Sequence, residues 1–148
     1  MTSYIEIVDA NIYFGERLNT EEWDNASDAN KLKALYMATR IIDRFNYRGE
    51  MTDESQEHQF PRGGDTEVPE TIKEACCEIA LKLLEEIDPD MEFENLPVLG
   101  HTFATVRNTY NRDFAPEHVV AGVPSPTAWK LLVPYLRDVR GVSINRAN

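Results

Sequence analysis

Eight apolar residues at helical spacing, placed between two prolines, constrain the fold of this chain more than any other feature. They repeat at i, i+3, i+4 and i+7 and are Ile72, Ala75, Cys76, Ile79, Ala80, Leu83, Leu84 and Ile87. This period puts all of them on one face of an α-helix. Pro69 suits the first position of that helix, and Asp88-Pro89 disfavours its continuation. We therefore predict a helix over 69–87.

A second long helix is predicted over 28–45. Ser27 is a good N-cap residue, and Gly49 lies past the predicted end. Its apolar positions also follow helical spacing and are Leu32, Leu35, Tyr36, Ile42 and Phe45, with Met37, Ala38 and Ile41 widening the stripe. Two amphipathic helices bury their stripes against each other, so the predicted fold class is mainly α, a small helical bundle.

Capping signals predict shorter elements at both ends of the chain. Asp9 can cap a helix over 10–18, in which Ile12, Tyr13, Phe14 and Leu18 are apolar. Thr20 precedes a single turn that sets Trp23 against the core. Near the other end, Ser125 can cap a short helix with Pro126 at its first position.

The remaining segments predict a long loop and a β element. Residues 46–67 are polar and contain three glycines, which indicates a long loop between the two main helices. β-Branched and aromatic residues predict a short strand or hairpin near 98–110. We divide the chain into a helical body with this β element, 1–110, and a C-terminal extension with a short amphipathic helix, 111–148.

Composition narrows the class of protein without naming an activity. The chain has 148 residues, of which 42% are hydrophobic, enough for one domain with a core. No segment resembles a membrane span or a signal peptide, so we expect a soluble protein that stays in the cell. The adjacent Cys76 and Cys77 fit a reducing compartment, and we expect them to be buried, unreactive thiols.

The charge is divided unevenly along the chain. Residues 1–106 hold 9 Lys and Arg against 23 Asp and Glu, whereas residues 107–148 hold 6 against 3. Non-specific nucleic-acid binding depends on Lys and Arg that release phosphate counterions. An acidic body opposes such binding, and a solvated acidic surface is sufficient to explain the charge.

The search for catalytic or metal-binding patterns finds none that is specific. His58, His101 and His118 are far apart, and His58 is expected to be a solvated loop histidine rather than a metal ligand near Glu54 and Glu57. Arg62-Gly63-Gly64 lacks the Gly-Lys-Ser/Thr ending of a phosphate-binding loop. We therefore expect no enzyme activity and no cofactor.

One pattern allows nucleic-acid binding. Four aromatic residues, Tyr36, Phe45, Tyr47 and Phe60, lie near four arginines, Arg40, Arg44, Arg48 and Arg62. Bases stack on exposed rings while cations follow the phosphates. Core packing is the favoured interpretation of Tyr36 and Phe45, since both lie on the helical stripe. The arginines at i, i+4 spacing line one helix face, which meets either phosphates or an acidic surface such as Asp43 or Glu70.

The order of several short motifs resembles the head-tail connector (adaptor, or head-completion) family of tailed bacteriophages. Members are often labelled DnaT-like single-stranded DNA-binding proteins. The motifs span about residues 4–86 and are Tyr13-Phe14, Trp23, Lys33-Ala34-Leu35, Ala38 to Asp43, Gly49, Gln56 with Phe60-Pro61-Arg62, Val68-Pro69, and Ala75 with Glu78-Ile79-Ala80; 130–136 resembles the family's C-terminal ending.

The resemblance implies a structural protein of the virion neck. In that family, copies, commonly twelve, form a ring under the portal, which extends the DNA channel and docks the tail or the next neck protein. The implied partners are the portal protein, a tail protein and further copies of the chain, while packaged DNA passes without specific binding. The implied location is the virion neck, and the host cytoplasm during assembly.

Ten residues are predicted to form interfaces with partner proteins or with other copies of the chain. They are Arg40, Arg44, Arg48, Phe60, Arg62, Trp129, Leu132, Leu136, Arg137 and Arg140. Trp129, Leu132 and Leu136 fit interface anchors and fit docking on the core of their own chain equally well. One alternative function is single-stranded DNA binding in replication. The other is binding of another protein through the C-terminal helix, as in a small regulatory or scaffold protein.

Overall fold

The computed structural model describes residues 2–88, 90–91 and 116–137, which form a mainly α-helical fold. The helices are α1 (Ile7–Gly15), α2 (Glu21–Asn25), α3 (Asp28–Asp43), α4 (Glu70–Leu84), α5 (Glu117–Ala121) and α6 (Pro126–Leu132), and a 3-10 turn, Val133–Tyr135, follows α6. The described residues contain two isolated β-bridges and no strand. The predicted hairpin near 98–110 lies outside the described residues.

The two long helices are confirmed, although both end earlier than predicted. The Ser27 side chain accepts a hydrogen bond from the Asn30 amide at 3.2 Å, which fixes the start of α3. This helix ends at Asp43 rather than at residue 45. Helix α4 ends at Leu84 rather than at residue 87, because Glu86 adopts a left-handed conformation with φ of 63°. Pro69 is the N-cap residue of α4 and not its first residue.

The register of α1 differs from the prediction. The helix begins at Ile7, so Asp9 lies in its first turn and does not cap it. Ala10 and Phe14, one helical turn apart, face the core. This orientation turns Ile12, one of the apolar residues of the predicted helix, outward and leaves it 60% exposed. Trp23 of α2 is buried as predicted, and its ring centroid lies 4.5 Å from that of Phe14.

Helix α4 is the centre of the fold because other helices surround it. It packs against α3 on one side and α6 on another, with α1 and α2 also in contact. Its seven consecutive residues from Ala75 to Leu81 are all buried. The small side chains of Ala75 and Ala80 allow neighbouring helices to approach closely. A helix buried on all sides needs several partners, and the C-terminal helix is one of them.

One carboxylate, Glu78, lies inside this apolar environment and is fully satisfied. Arg17 donates to it from Nε at 2.7 Å and from Nη2 at 2.9 Å. The Tyr13 hydroxyl donates to the same carboxylate at 2.6 Å, and burial with this contact raises the pKa of Tyr13. Two charge-assisted contacts and one neutral donor offset the cost of burying the carboxylate.

The C-terminal segment packs on the core of its own chain. Ser125 caps α6 as predicted and accepts from the Ala128 amide at 3.1 Å. Trp129, Leu132 and Leu136 are 5%, 0% and 1% exposed and belong to the main core cluster. This is the docking alternative that the sequence had left open. The proposed division of the chain at residue 110 falls outside the described residues and stays a prediction.

Both cysteines of α4 lie in the core, and Cys76 faces α3. Cys76 and Cys77 are fully buried, and the Cys76 thiol contacts the carbonyl oxygen of Leu35 at 3.7 Å. Burial raises the pKa of the Cys76 thiol to about 12 and also raises the pKa of Cys77. Since the thiolate is the nucleophile, both residues are held in their unreactive form.

The substitution Leu132→Ala is expected to lower the free energy of unfolding by about 2–5 kcal/mol, because it opens a cavity between α6 and α4. Lys130→Ala on the exposed side of the same helix is the control and should change it by less than about 0.5 kcal/mol. Urea unfolding followed by circular dichroism measures both. Equal, small effects would show that α6 is not part of the core.

At pH 8, the two thiols of the folded protein should not react with a thiol-specific chromogenic disulfide, because burial and a raised pKa leave almost no accessible thiolate. After unfolding in guanidinium chloride both thiols should react promptly. The colour released before and after unfolding measures this directly. Prompt reaction of the folded protein contradicts the described packing of α4.

Candidate nucleic-acid interface

Three of the predicted arginines meet at one corner of the fold, although not in the predicted arrangement. Because α3 ends at Asp43, Arg48 lies in the following loop and does not share a helix face with Arg40 and Arg44. The Arg48 amide instead donates to the Tyr135 carbonyl at 2.8 Å, and its Nε donates to the Leu136 carbonyl at 2.9 Å. These two bonds join the loop to the C-terminal segment.

Arg62 closes the loop from inside. Its Nε donates to the Arg48 carbonyl at 3.0 Å, and its Nη2 donates to the carbonyls of Tyr47 and Gly49 at 3.3 and 2.5 Å. Its Nη1 donates to the carbonyl and side-chain oxygens of Gln59 at 3.2 and 2.9 Å. A guanidinium group has five N–H donors, so Arg62 uses all of them within the chain.

Arg137 reaches the same loop from the C-terminal segment. Its amide donates to the Asn46 carbonyl at 3.0 Å, and its Nη2 lies 3.3 Å from the Gly49 carbonyl oxygen that Arg62 also contacts. Gly49 has a φ of +71°, a conformation that favours glycine. We call Arg48, Arg62 and Arg137 the arginine cluster. Arg62 holds the loop closed, while Arg48 and Arg137 use few of their donors.

The charge of the arginine cluster is not neutralised by ion pairs. None of its members forms an ion pair with a carboxylate in the part of the chain that the structure describes. Arg44, which lines a different groove beside Met37 and Arg40, forms no such pair there either. A groove beside Gly49 is lined by Arg62 and Arg137 and also by Glu50 and Glu54. Uncompensated guanidinium groups that share one carbonyl oxygen repel each other, and an anion would relieve that repulsion.

Aromatic residues support the cluster from below and beside it. Phe60 is 4% exposed and Tyr47 is 1% exposed, so both belong to the core. The Phe60 ring packs edge-on against Tyr47 at 4.6 Å and against Tyr135 at 5.5 Å. Tyr135 is half-buried, and it directly precedes Leu136 and Arg137. Tyr135 was not among the predicted site residues, and its place two residues before Arg137 was the sequence signal for it.

The middle of the loop is held by a network around Asp43. This carboxylate accepts from the Tyr4 hydroxyl and from the Gln59 amide at 3.1 Å, and it contacts His58 Nδ1 at 2.7 Å. The His58 Nε2 lies 2.9 Å from the Thr2 hydroxyl. The expectation of a solvated loop histidine is therefore wrong, because His58 joins α3, the loop and the N-terminal segment.

The remaining predicted site residues divide into three groups. Trp129, Leu132 and Leu136 lie in the core, as described above. Arg40 is exposed in the last turn of α3 and is not part of the arginine cluster. It has an interaction partner of its own. Arg140 lies outside the described residues. Among the described residues, no group of three potential ligands is arranged to hold a metal ion, and no helix is long and apolar enough to cross a membrane.

Comparison with known proteins identifies a family. A family profile described as "Putative DnaT-like ssDNA binding protein" matches residues 1–136, which is most of the chain. The chain therefore belongs to this family of DnaT-like proteins. No curated protein and no solved structure matches it.

This match corrects the resemblance to the phage head-tail connector family. The matched family carries the DnaT-like label, and nothing in the comparisons supports a virion, neck or portal protein. The expected portal and tail partners, the ring of twelve copies and the passage of DNA without specific binding depended on that resemblance, and they are withdrawn with it. The family description agrees instead with the alternative, single-stranded DNA binding.

The substitution Arg62→Ala is expected to open the loop, because it removes five contacts to loop oxygens at once. The expected cost is at least about 2 kcal/mol of loop-closing free energy. Hydrogen exchange measures it at the amides of Thr52 and Gly63, which donate to the carbonyls of Pro61 and Glu50.

Arg137→Ala is the matched control for this experiment, since its guanidinium makes one long contact to the loop. It should leave the protection of the Thr52 and Gly63 amides nearly unchanged. Unchanged protection in Arg62→Ala as well would mean that Arg62 does not hold the loop closed.

Proposed function

We propose that this protein binds single-stranded DNA at the arginine cluster. The observation that carries the proposal is the family match over residues 1–136, which includes Arg48 and Arg62 and ends one residue before Arg137. The geometry of the arginine cluster supports the proposal, because hydrogen bonds to backbone carbonyls hold the three arginines together. Within the described residues none of the three pairs with a carboxylate.

The three arginines have different tasks in this proposal. Arg62 uses its N–H donors to hold the loop and contributes only its positive charge to the attraction of DNA. Arg48 has no described acceptor at its two terminal nitrogens, and Arg137 has one, at 3.3 Å from Nη2. These nitrogens remain for phosphate oxygens, with which guanidinium groups form strong, charge-assisted hydrogen bonds. Because their anchoring bonds orient them before DNA arrives, less side-chain entropy is lost on binding.

Tyr135 supplies a ring beside these cations. It is half-buried and its ring stands nearly perpendicular to the Phe60 ring, so that packing holds the ring in place while part of the residue stays accessible to solvent. A base stacked on an aromatic side chain contributes about 1–3 kcal/mol, regardless of which base it is. An arginine pair with one aromatic ring fits a flexible single strand, whose bases are free to stack, better than a duplex.

The acidic remainder of the molecule limits this binding without preventing it. The net charge is −11, but screening makes charges more than about 8 Å apart nearly independent at physiological salt. Glu50 and Glu54 are the carboxylates that line the groove beside the cluster, and they oppose phosphates there. The proposed function is therefore modest, salt-sensitive binding confined to one corner, and it requires no catalytic group.

Binding is tested by fluorescence anisotropy with a labelled oligothymidylate of about 30 nucleotides, long enough for a site of roughly 4–16 nucleotides. We expect saturable binding. The logarithm of the association constant should fall with the logarithm of the salt concentration at a slope of about −2, which corresponds to three phosphate contacts on a single strand. The double variant Arg48→Gln/Arg137→Gln should bind at least about tenfold more weakly and with a shallower slope.

Lys33→Gln/Lys73→Gln is the matched control, since it removes two positive charges outside the cluster. Its affinity should stay within about threefold of the original protein. If both double variants lose affinity equally, binding depends only on the net charge of the protein, and the arginine cluster is not the binding site. If the original protein binds no oligonucleotide at low salt, the proposed function is wrong.

A further inference from the structure

The face of α1 that turns away from the core carries exposed apolar side chains beside a groove. Val8 and Ile12, one turn apart, are 62% and 60% exposed. The groove, of about 410 Å³, lies between α1 and the start of α4 and is lined by Ile5, Ile12 and Tyr13. Single exposed apolar residues are ordinary on a protein surface. Two on one helical face, next to a groove that is partly lined by apolar side chains, form a surface that another helix can occupy.

The rim of this groove is acidic. Asp9, Glu70 and Glu74 line it, together with one cation, Lys73, whose ammonium group lies 3.2 Å from a Glu70 oxygen. The Lys73–Glu70 pair cancels, so Asp9 and Glu74 remain. Helix α1 itself contains no lysine or arginine. The lining of the groove therefore combines apolar and aromatic side chains with a net negative charge.

We propose that this groove binds a basic amphipathic helix of a partner protein. Apolar side chains of that helix would cover Val8 and Ile12 and enter the groove, while its Lys or Arg residues would lie over Asp9 and Glu74. Long basic side chains suit this arrangement, because their methylene stems cover apolar surface while their charges reach the carboxylates. Charge complementarity sets the orientation of the partner and speeds its association.

Other occupants fit the charge less well. Nucleic acid and anionic lipid are both repelled by the carboxylates of the rim. The chain has a basic surface of its own, where Met37 and Arg40 of α3 and Arg44, directly after that helix, line a second groove. Three carboxylates line the same groove, namely Glu86, Asp88 and Asp90. A second copy docked through this surface would therefore bring carboxylates against carboxylates.

A designed peptide tests the proposal with the full chain. The peptide contains two repeats of Leu-Lys-Lys-Leu-Leu-Lys-Leu, which places leucine on one helical face and lysine on the other. A second peptide has the same composition with the faces scrambled. Fluorescence anisotropy of the labelled peptides should show binding at least about tenfold tighter for the first. Equal binding of the two would overturn the proposal, since charge alone would then explain it.

Two variants of the groove separate its apolar and acidic parts. Val8→Ser/Ile12→Ser should weaken binding of the amphipathic peptide at least about tenfold, because each buried side chain contributes appreciably to binding. Asp9→Asn/Glu74→Gln should weaken binding about threefold to tenfold and make it less dependent on salt. Val8 and Ile12 are exposed, so unfolding does not explain a loss, and circular dichroism verifies that both variants are folded.

Two control variants test whether the peptide binds at the groove beside α1 and not elsewhere on the protein. Glu86→Gln/Asp88→Asn removes two exposed carboxylates from the other groove and should leave peptide binding unchanged; an equal loss there would overturn the assignment to α1. Arg48→Gln/Arg137→Gln should also leave it unchanged, which keeps this test independent of DNA binding. If sedimentation shows that the chain self-associates and Val8→Ser/Ile12→Ser abolishes this, a second copy is the occupant and the proposal is wrong.

Discussion

The burial of α4 on all sides is the constraint on which the rest of the structure depends. A helix with seven consecutive buried residues has no face for solvent, so α3 and α6 must both cover it. That requirement brings the C-terminal segment back to the body and ends it beside the loop. Arg137 meets Arg48 and Arg62 because Leu132 and Leu136 are packed in the core. The arginine cluster is thus a consequence of how α4 is covered.

Helical periodicity and capping residues were sufficient to predict the main helices. Ser27 and Ser125 cap helices as expected, and the apolar stripe of α4 faces the core. The same reasoning misplaced α1, because its sequence offers apolar residues on more than one face. Ala10 and Phe14 are buried and Ile12 is not, and Phe14 packs against the Trp23 ring. Helical periodicity indicates which apolar residues share a face, but it does not show which of them other elements of the fold will bury.

The sequence indicates the residues of the candidate site but not their arrangement. Arg48, Arg62 and Arg137 were all predicted as interface residues, and Arg48 was assigned to a helix face together with Arg40 and Arg44. Their actual grouping depends on contacts between residues 88 positions apart, such as that from Arg48 to Leu136. The argument against nucleic acid used the charge of the whole body. A local surface without ion pairs differs from that average, and only the folded structure reveals it.

Chemical-shift mapping tests the central claim, that single-stranded DNA binds at the arginine cluster, most directly. The experiment titrates unlabelled oligothymidylate into nitrogen-labelled protein and follows backbone amides together with arginine Nε–H groups. The account predicts that shifts concentrate on Arg48, Gly49, Arg62 and Arg137 and on the amide of Tyr135, while α1 and α2 stay unchanged. Shifts that spread over α1, or that leave the arginine Nε–H signals unmoved at saturation, would contradict it.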